Sequence, residues 1–201
     1  MKTMSQPDIA AHLNSYAQRL NEAIEKIDPL ALKALADAMQ ECWRKSRQIF
    51  LCGNGGSAGN AIHLANDYIY GAGKTAGRGL KCTALPANSA VLTCLGNDIG
   101  YDLIFAEQIR ILAEKGDILI VLSGSGNSPN ILKALEQASA LGVKTFAILG
   151  YSGGKAKAMA DVALHIAIDD MQVAEDMQLI IGHVLMQWCC ANLCEIPTQA
   201  A

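Results

Sequence analysis

Five short apolar runs constrain this chain more than anything else in it. They are QIFLC at 48–52, LKCTAL at 80–85, DILIVL at 117–122, VKTFAILG at 143–150 and VALHIAI at 162–168. Their β-branched and aromatic content suits strands, and their near-continuous apolarity suits strands covered on both faces. Segments of helical periodicity lie between them, including NAIHLANDYIYG, a stretch over 89–116 broken near Asn97, NILKALEQASALG and the short GGKAKAMAD. The segment GAGKTAGRG at 71–79 reads as loop. Strands alternating with helices predict a mostly parallel sheet with helices on both faces, an α/β fold.

Ahead of the first run, residues 6–46 read as two helices. Ile9, Leu13, Tyr16, Leu20 and Ile24 recur at helical spacing, and Asp28-Pro29 is a start signal for the second helix. A last helix is expected across about 171–195. The chain reads as one domain over 1–201, with a helical segment at 1–46 and an α/β core with its C-terminal helix at 47–195. A chain of 201 residues can bury a substantial core. Hydrophobic residues make up 51% and charged ones only 17%, which leans towards an oligomer.

Several classes of function find no support. The formal net charge is −3 with no dense basic run, so nucleic-acid binding by charge is not expected. No apolar run reaches membrane-spanning length, and MKTMSQPDIAAHL lacks the pattern of a secretion signal. Seven scattered cysteines, with no CxxC pair, suit reduced thiols in a cytoplasm. Cys189, Cys190 and Cys194 stand close in the apolar VLMQWCCANLC and read as core, not as metal ligands.

Ligands in parallel sheets sit beyond the carboxyl ends of the strands, and two small-residue loops fall at that edge. In SGSGNSP, Ser128 is a natural N-cap with Pro129 at the first helical position. Ser123 and Ser125 add hydroxyls, and Gly124 and Gly126 would let a ligand approach the backbone. Three hydroxyls in six residues exceed what a βα turn needs, and the amides opening a helix, which lack internal partners, favour an anion such as phosphate. In GNGGSAG, Gly53, Gly55 and Ala58 match the loose dinucleotide fingerprint. That fingerprint expects an acidic residue about 20 positions on, yet no Asp or Glu occurs from Tyr68 to Asn97. Nicotinamide binding is therefore disfavoured.

Taken together, CGNGGSAGNAIHLAND, GNDIGYDLIFAEQI, SGSGNSPNILKAL and ILGYSGGKAKAMAD resemble the sugar isomerase (SIS) domain family, in its phosphoheptose isomerase branch. The likeness runs from about residue 45 to 190. It implies a flavodoxin-like three-layer α/β/α sandwich on a five-stranded parallel sheet. It also implies a homotetramer with active sites at subunit interfaces, in which the N-terminal helices serve assembly. The implied reaction is an aldose–ketose isomerisation, sedoheptulose 7-phosphate to D-glycero-D-manno-heptose 7-phosphate, often with bound zinc. Family phosphate contacts match Ser57, Ser123, Ser125 and Ser128, within the Gly55-Gly56 and Gly124 backbone, and Asn54 and Asp98 match substrate contacts.

Chemistry-bearing residues stand at two further places. His63 and Asp67, four apart, share a helix face and can serve one metal or one substrate. The resemblance makes His63 a metal ligand and Asp67 a ligand and base, with Asp where the family has Glu. In QVAEDMQLIIGHVL it makes His183 a ligand and acid/base, and puts Glu175 where the family has a Gln ligand. Gln172 stands where those enzymes carry Asp. Read from their neighbours alone, His183 suits a core histidine and Glu175 a solvated helix-start carboxylate. On one continuous helix Glu175 and His183 would stand about 12 Å apart, so a shared ion would need them from different subunits. Asp67 and His183 are the candidate base and acid, in either order. Two other readings remain: a non-catalytic SIS adaptor for the replication initiator, and an isomerase or sensor of another sugar phosphate.

Overall fold

The computed structural model describes residues 8–193. Two helices open the chain, α1 (Ile9–Glu25) and α2 (Pro29–Arg44). Asp28 caps α2 by accepting from Leu30 N–H, with Pro29 in the first turn. The core then runs β1 (Gln48–Cys52), α3 (Gly56–Asn66), a π-helical turn (Asp67–Gly71), α4 (Gly73–Ala76) and β2 (Lys81–Ala84). It continues with α5 (Ser89–Asp98), α6 (Ala106–Leu112), β3 (Ile118–Ser123), α7 (Pro129–Ala140) and β4 (Lys144–Leu149). The last elements are α8 (Ala156–Met159), β5 (Val162–His165) and α9 (Met171–Asn192).

All five strands pair in parallel in the order β2-β1-β3-β4-β5, the flavodoxin-like arrangement. Alternate side chains of one strand enter different cores, as the pleat requires. Ile49, Leu51, Ile118, Ile120, Phe146 and Ile148 pack under α1, α2, α3 and α9. Phe50, Cys52, Leu119, Val121, Ala147 and Leu149 pack under α6 and α7. Both faces are therefore dry, and each fully buried Leu, Ile or Phe contributes about 1.5–3 kcal/mol. The order reverses between β1 and β3, which fixes where a ligand crevice opens.

Local departures from the sequence expectation have local causes. Residues 71–79 are not all loop, because Gly73–Ala76 form a helical turn. That segment is tied down by Arg78, which stacks on the Trp43 ring and donates to its carbonyl, while Trp43 Nε1 donates to the Arg78 carbonyl. The expected break near Asn97 comes at Gly100, whose φ of 104° suits only glycine. VALHIAI stays a strand only to His165; beyond it Tyr151 N–H bonds the Ile168 carbonyl in an irregular crossing. Cys189 is buried as expected and Cys190 half-buried, whereas Cys194, residues 6–7 and residues 194–195 lie outside the described residues.

Candidate active site

Two loops and three helix starts build a cavity of about 140 Å³ at the carboxyl edge of β1 and β3. It is lined by Asn54, Ser57, Ser123, Gly124, Ser125, Ser128 and Glu175, with Leu122 and Met171. No lysine or arginine is among them. Positive potential comes instead from backbone. Of the helices longer than eight residues, α1, α2, α5 and α9 are capped by the side chains of Asp8, Asp28, Asn88 and Asp170. Among the described residues α3 and α7, two of the three helices that start at this cavity, have no side-chain cap, whereas the third, α9, is capped by Asp170. The amides and dipoles of α3 and α7 are left for a bound anion.

Ser128 occupies the expected N-cap position of α7, but its hydroxyl makes no capping bond and is free for a ligand. Ser123 Oγ accepts from Gly126 N–H at 3.0 Å and Ser125 Oγ from Asn127 N–H at 3.3 Å, so both keep a proton to donate. Asn54 and Asn130 form a reciprocal amide pair, 2.8 Å in each direction, and Tyr101 Oη donates to Asn54 Oδ1 at 3.0 Å. With Oδ1 saturated, Asn54 can only donate to a ligand, through its second amide hydrogen.

Packing also requires several of the loop glycines, although Gly124 lines the cavity as expected of a backbone a ligand approaches. The space a side chain would take at Gly124 is filled by Met171 and Tyr151. At Gly126, with φ of 65°, it is filled by the Gly153 carbonyl, so the neighbouring loop buttresses this one. A Cβ on Gly56 would collide with the Glu175 carboxylate, whereas Gly55 faces open space. Asp98 does not line the cavity; it is exposed at the end of α5, accepting from Cys94 Sγ and Asn97 Nδ2.

Helices α3 and α9 run side by side from this cavity, in parallel. Gly56 meets Glu175, Asn60 meets Gln178, and Leu64 packs on Gly182, where any Cβ would strike the leucine. That close approach, with Tyr68 Oη donating to the Gly182 carbonyl, brings His63 and His183 together. Their Nε2 atoms lie 2.9 Å apart with rings nearly perpendicular, so one ring donates and the other accepts. Asp67 Oδ2 stands 3.4 Å from His63 Nε2 and 3.5 Å from His183 Nε2. Asp67 lies just past the end of α3, in the π-helical turn, yet stays on the histidine's face. His183 is 44% exposed, which excludes the core role its apolar neighbours suggest.

Glu175 does not join this trio. Helix α9 is continuous through both positions, and Glu175 sits two turns away at the anion cavity. Within one chain, therefore, three of the four expected ligands converge. Tetrahedral ligand atoms about 2.0–2.1 Å from zinc lie about 3.4 Å apart. Both Asp67 distances match, and the histidine pair needs to open by about half an ångström, so the donor set fits such an ion.

Sequence reasoning missed Asn60, Gln178, Asn130 and Tyr101. A signal existed for Gln178: it is an amide on a helix face otherwise made of Met177, Ile181 and Leu185.

These features define a doubly wound α/β protein with an anion cradle at its topological switch point and a histidine–carboxylate cluster on the same helices. The SIS domain model matches residues 12–150. Phosphoheptose isomerase of Aliarcobacter butzleri is 37% identical over 190 residues, 93% of this chain and 96% of that one. The same-named protein of Helicobacter pylori (strain Shi470) is 38% identical over 178 residues, 89% and 90% of the two chains. The solved phosphoheptose isomerase of Francisella tularensis superposes with a TM-score of 0.85 at 30% identity, covering 92% of this chain and all of the other. That of Neisseria gonorrhoeae gives 0.83 at 31% identity, covering 91% and 97%. The chain belongs to the SIS domain family, in its phosphoheptose isomerase branch.

Proposed function

We propose that this chain is a sugar-phosphate aldose–ketose isomerase that interconverts sedoheptulose 7-phosphate and D-glycero-D-manno-heptose 7-phosphate. The observation that carries the reading is the spacing of two sites on shared helices. Ser57 and His63 are six residues apart on α3, about 9 Å of rise, and Glu175 and His183 eight apart on α9, about 12 Å. An open-chain sugar phosphate anchored at the cradle reaches the histidine–carboxylate cluster with its carbonyl end.

In this reading Ser57, Ser123, Ser125, Ser128 and Asn54 donate to the phosphate and hold the sugar in register, lowering the entropic part of the barrier. Either Asp67 or His183 takes the proton beside the carbonyl, and the other side chain returns one to the adjacent carbon across an enediolate. His63, Asp67 and His183 would hold a zinc ion, with Glu175 completing the cluster from a neighbouring subunit of a cytoplasmic homotetramer. When bound, that metal would polarise the carbonyl and stabilise the developing oxyanion. An adaptor would have no use for the acid/base pair, which is chemically competent here.

The test is metal analysis of the purified protein, with turnover of sedoheptulose 7-phosphate measured before and after chelation. Turnover that chelation suppresses is expected. Phosphate binding without turnover on this or any other ketose phosphate would instead leave the chain a sensor or adaptor.

A further inference from the structure

Ser57 lines the cradle, and what fixes the direction of its hydroxyl lies behind it. Gln178, 1% exposed, donates from Nε2 to Ser57 Oγ at 3.0 Å. Asn60 donates from Nδ2 to Gln178 Oε1 at 3.0 Å and, from the same nitrogen, to the backbone carbonyl of Glu175 at 3.0 Å. Neither Asn60 nor Gln178 lines the cavity.

An amide can be turned either way, and only its partners decide which end is nitrogen. Here the last partner leaves no choice, because a backbone carbonyl can only accept. The Glu175 carbonyl therefore sets Asn60 with its nitrogen towards α9. Asn60 in turn sets Gln178 with its oxygen towards α3, which leaves the Gln178 nitrogen facing Ser57. Ser57 Oγ must accept, and among the described residues its own proton has no acceptor. The remaining direction is the cradle.

We infer that Asn60 and Gln178 are positioning residues that compel the Ser57 hydroxyl to donate to the bound phosphate. The relay deepens the sugar-phosphate reading and rests on it only for the nature of the anion. A hydroxyl already turned outward costs no reorganisation when the anion arrives, and a hydrogen bond to a charged group is among the stronger kinds.

The distinguishing variant is Asn60→Asp. Its carboxylate cannot donate, so Gln178 reverses to offer it a nitrogen, and the Gln178 oxygen then captures the Ser57 proton. Titration calorimetry with inorganic phosphate, on the assembled full chain, compares the unaltered protein with Asn60→Asp, Ser57→Ala and the double variant. We expect Asn60→Asp and Ser57→Ala each to weaken binding by roughly ten- to a hundredfold. In the double variant the Asp substitution should add no further loss. KM for the sugar phosphate should rise with kcat little changed. Should Asn60→Asp fail to fold, Gln178→Met removes the donor without adding charge; a smaller loss, absent in the Ser57→Ala background, is then expected. Unchanged phosphate binding in Asn60→Asp, or a loss that persists without the Ser57 hydroxyl, overturns the relay. Phosphate binding as described but no isomerase turnover removes the isomerase reading and leaves the relay intact. No phosphate binding by the unaltered chain removes both.

Discussion

At the scale of single residues, Asp67 carries the heaviest demand. It is one methylene shorter than the glutamate that the family resemblance leads one to expect there, yet it stands within 3.5 Å of both histidines. The π-helical turn that begins at Asp67 is where the backbone leaves the α-helical path, and such single turns recur at functional sites. We expect Asp67→Asn to lower kcat by about 10²–10⁴-fold, the usual contribution of a positioned acid or base. Inorganic phosphate should bind it as tightly as the unaltered chain, because Asp67 stands ten residues, about 2.8 helical turns, beyond Ser57 of the cradle. Steady-state kinetics paired with phosphate titration checks this, and undiminished turnover would remove Asp67 from the mechanism. The serines stood out in the sequence because three hydroxyls crowd one βα turn, whereas the His63–Asp67 pair was singled out by the family resemblance more than by its spacing. Asn60 and Gln178 were not, because a buried amide acquires meaning only from the partner facing it across a helix pair. The direction of Glu175 was illegible for the same reason: Gly56, more than a hundred positions earlier, makes room for its carboxylate.

At the scale of elements, the strands were readable because burial on both faces leaves a run of apolar residues that no helix stripe produces. The short helix at Gly73–Ala76 and the early end of β5 were not, since both depend on contacts distant in sequence. What sequence periodicity also hides is how α1 holds the start of α9. Tyr16 Oη donates to Asp176 Oδ2, and Arg19 Nε pairs with Asp170, the cap of α9, at 3.1 Å. Burial, and then the neighbouring Asp176 carboxylate, push the Tyr16 phenol up to about 12 from its ordinary 10.0. A phenol raised on folding favours the native state while protonated. Its contribution is complete below pH 10 and disappears as the pH climbs towards 12. Tyr16→Phe should therefore cost about 1 kcal/mol of stability at pH 8, a single net hydrogen bond. The gap between the two proteins should close at pH 12, which denaturant titrations at both pH values will show. A gap that persists unchanged at pH 12 would mean the bond to Asp176 is not its source.

At the scale of the whole molecule, one chain builds two incomplete things beside each other. Its surface exposes Ile9, Leu13 and Leu30 on the N-terminal helices, Ile62, Ile69 and Tyr70 around α3, and Val184 next to His183. So much apolar surface around the histidine–carboxylate cluster is what a subunit interface would cover. The cluster itself has three protein donors converging, and the fourth candidate, Glu175, is held two turns away by a continuous helix. A rigid α9 cannot deliver both ends to one ion, so a site that uses Glu175 and His183 together draws them from two chains. Glu175→Ala and His183→Ala proteins should each be inactive. Mixed under conditions that exchange subunits, they should regain measurable turnover, because some interfaces then pair an intact Glu175 from one chain with an intact His183 from another. Native mass spectrometry would establish that hybrids formed. Hybrids present without activity would mean that both residues act within the same chain, with Glu175 serving the cradle alone and the metal held by His63, Asp67 and His183.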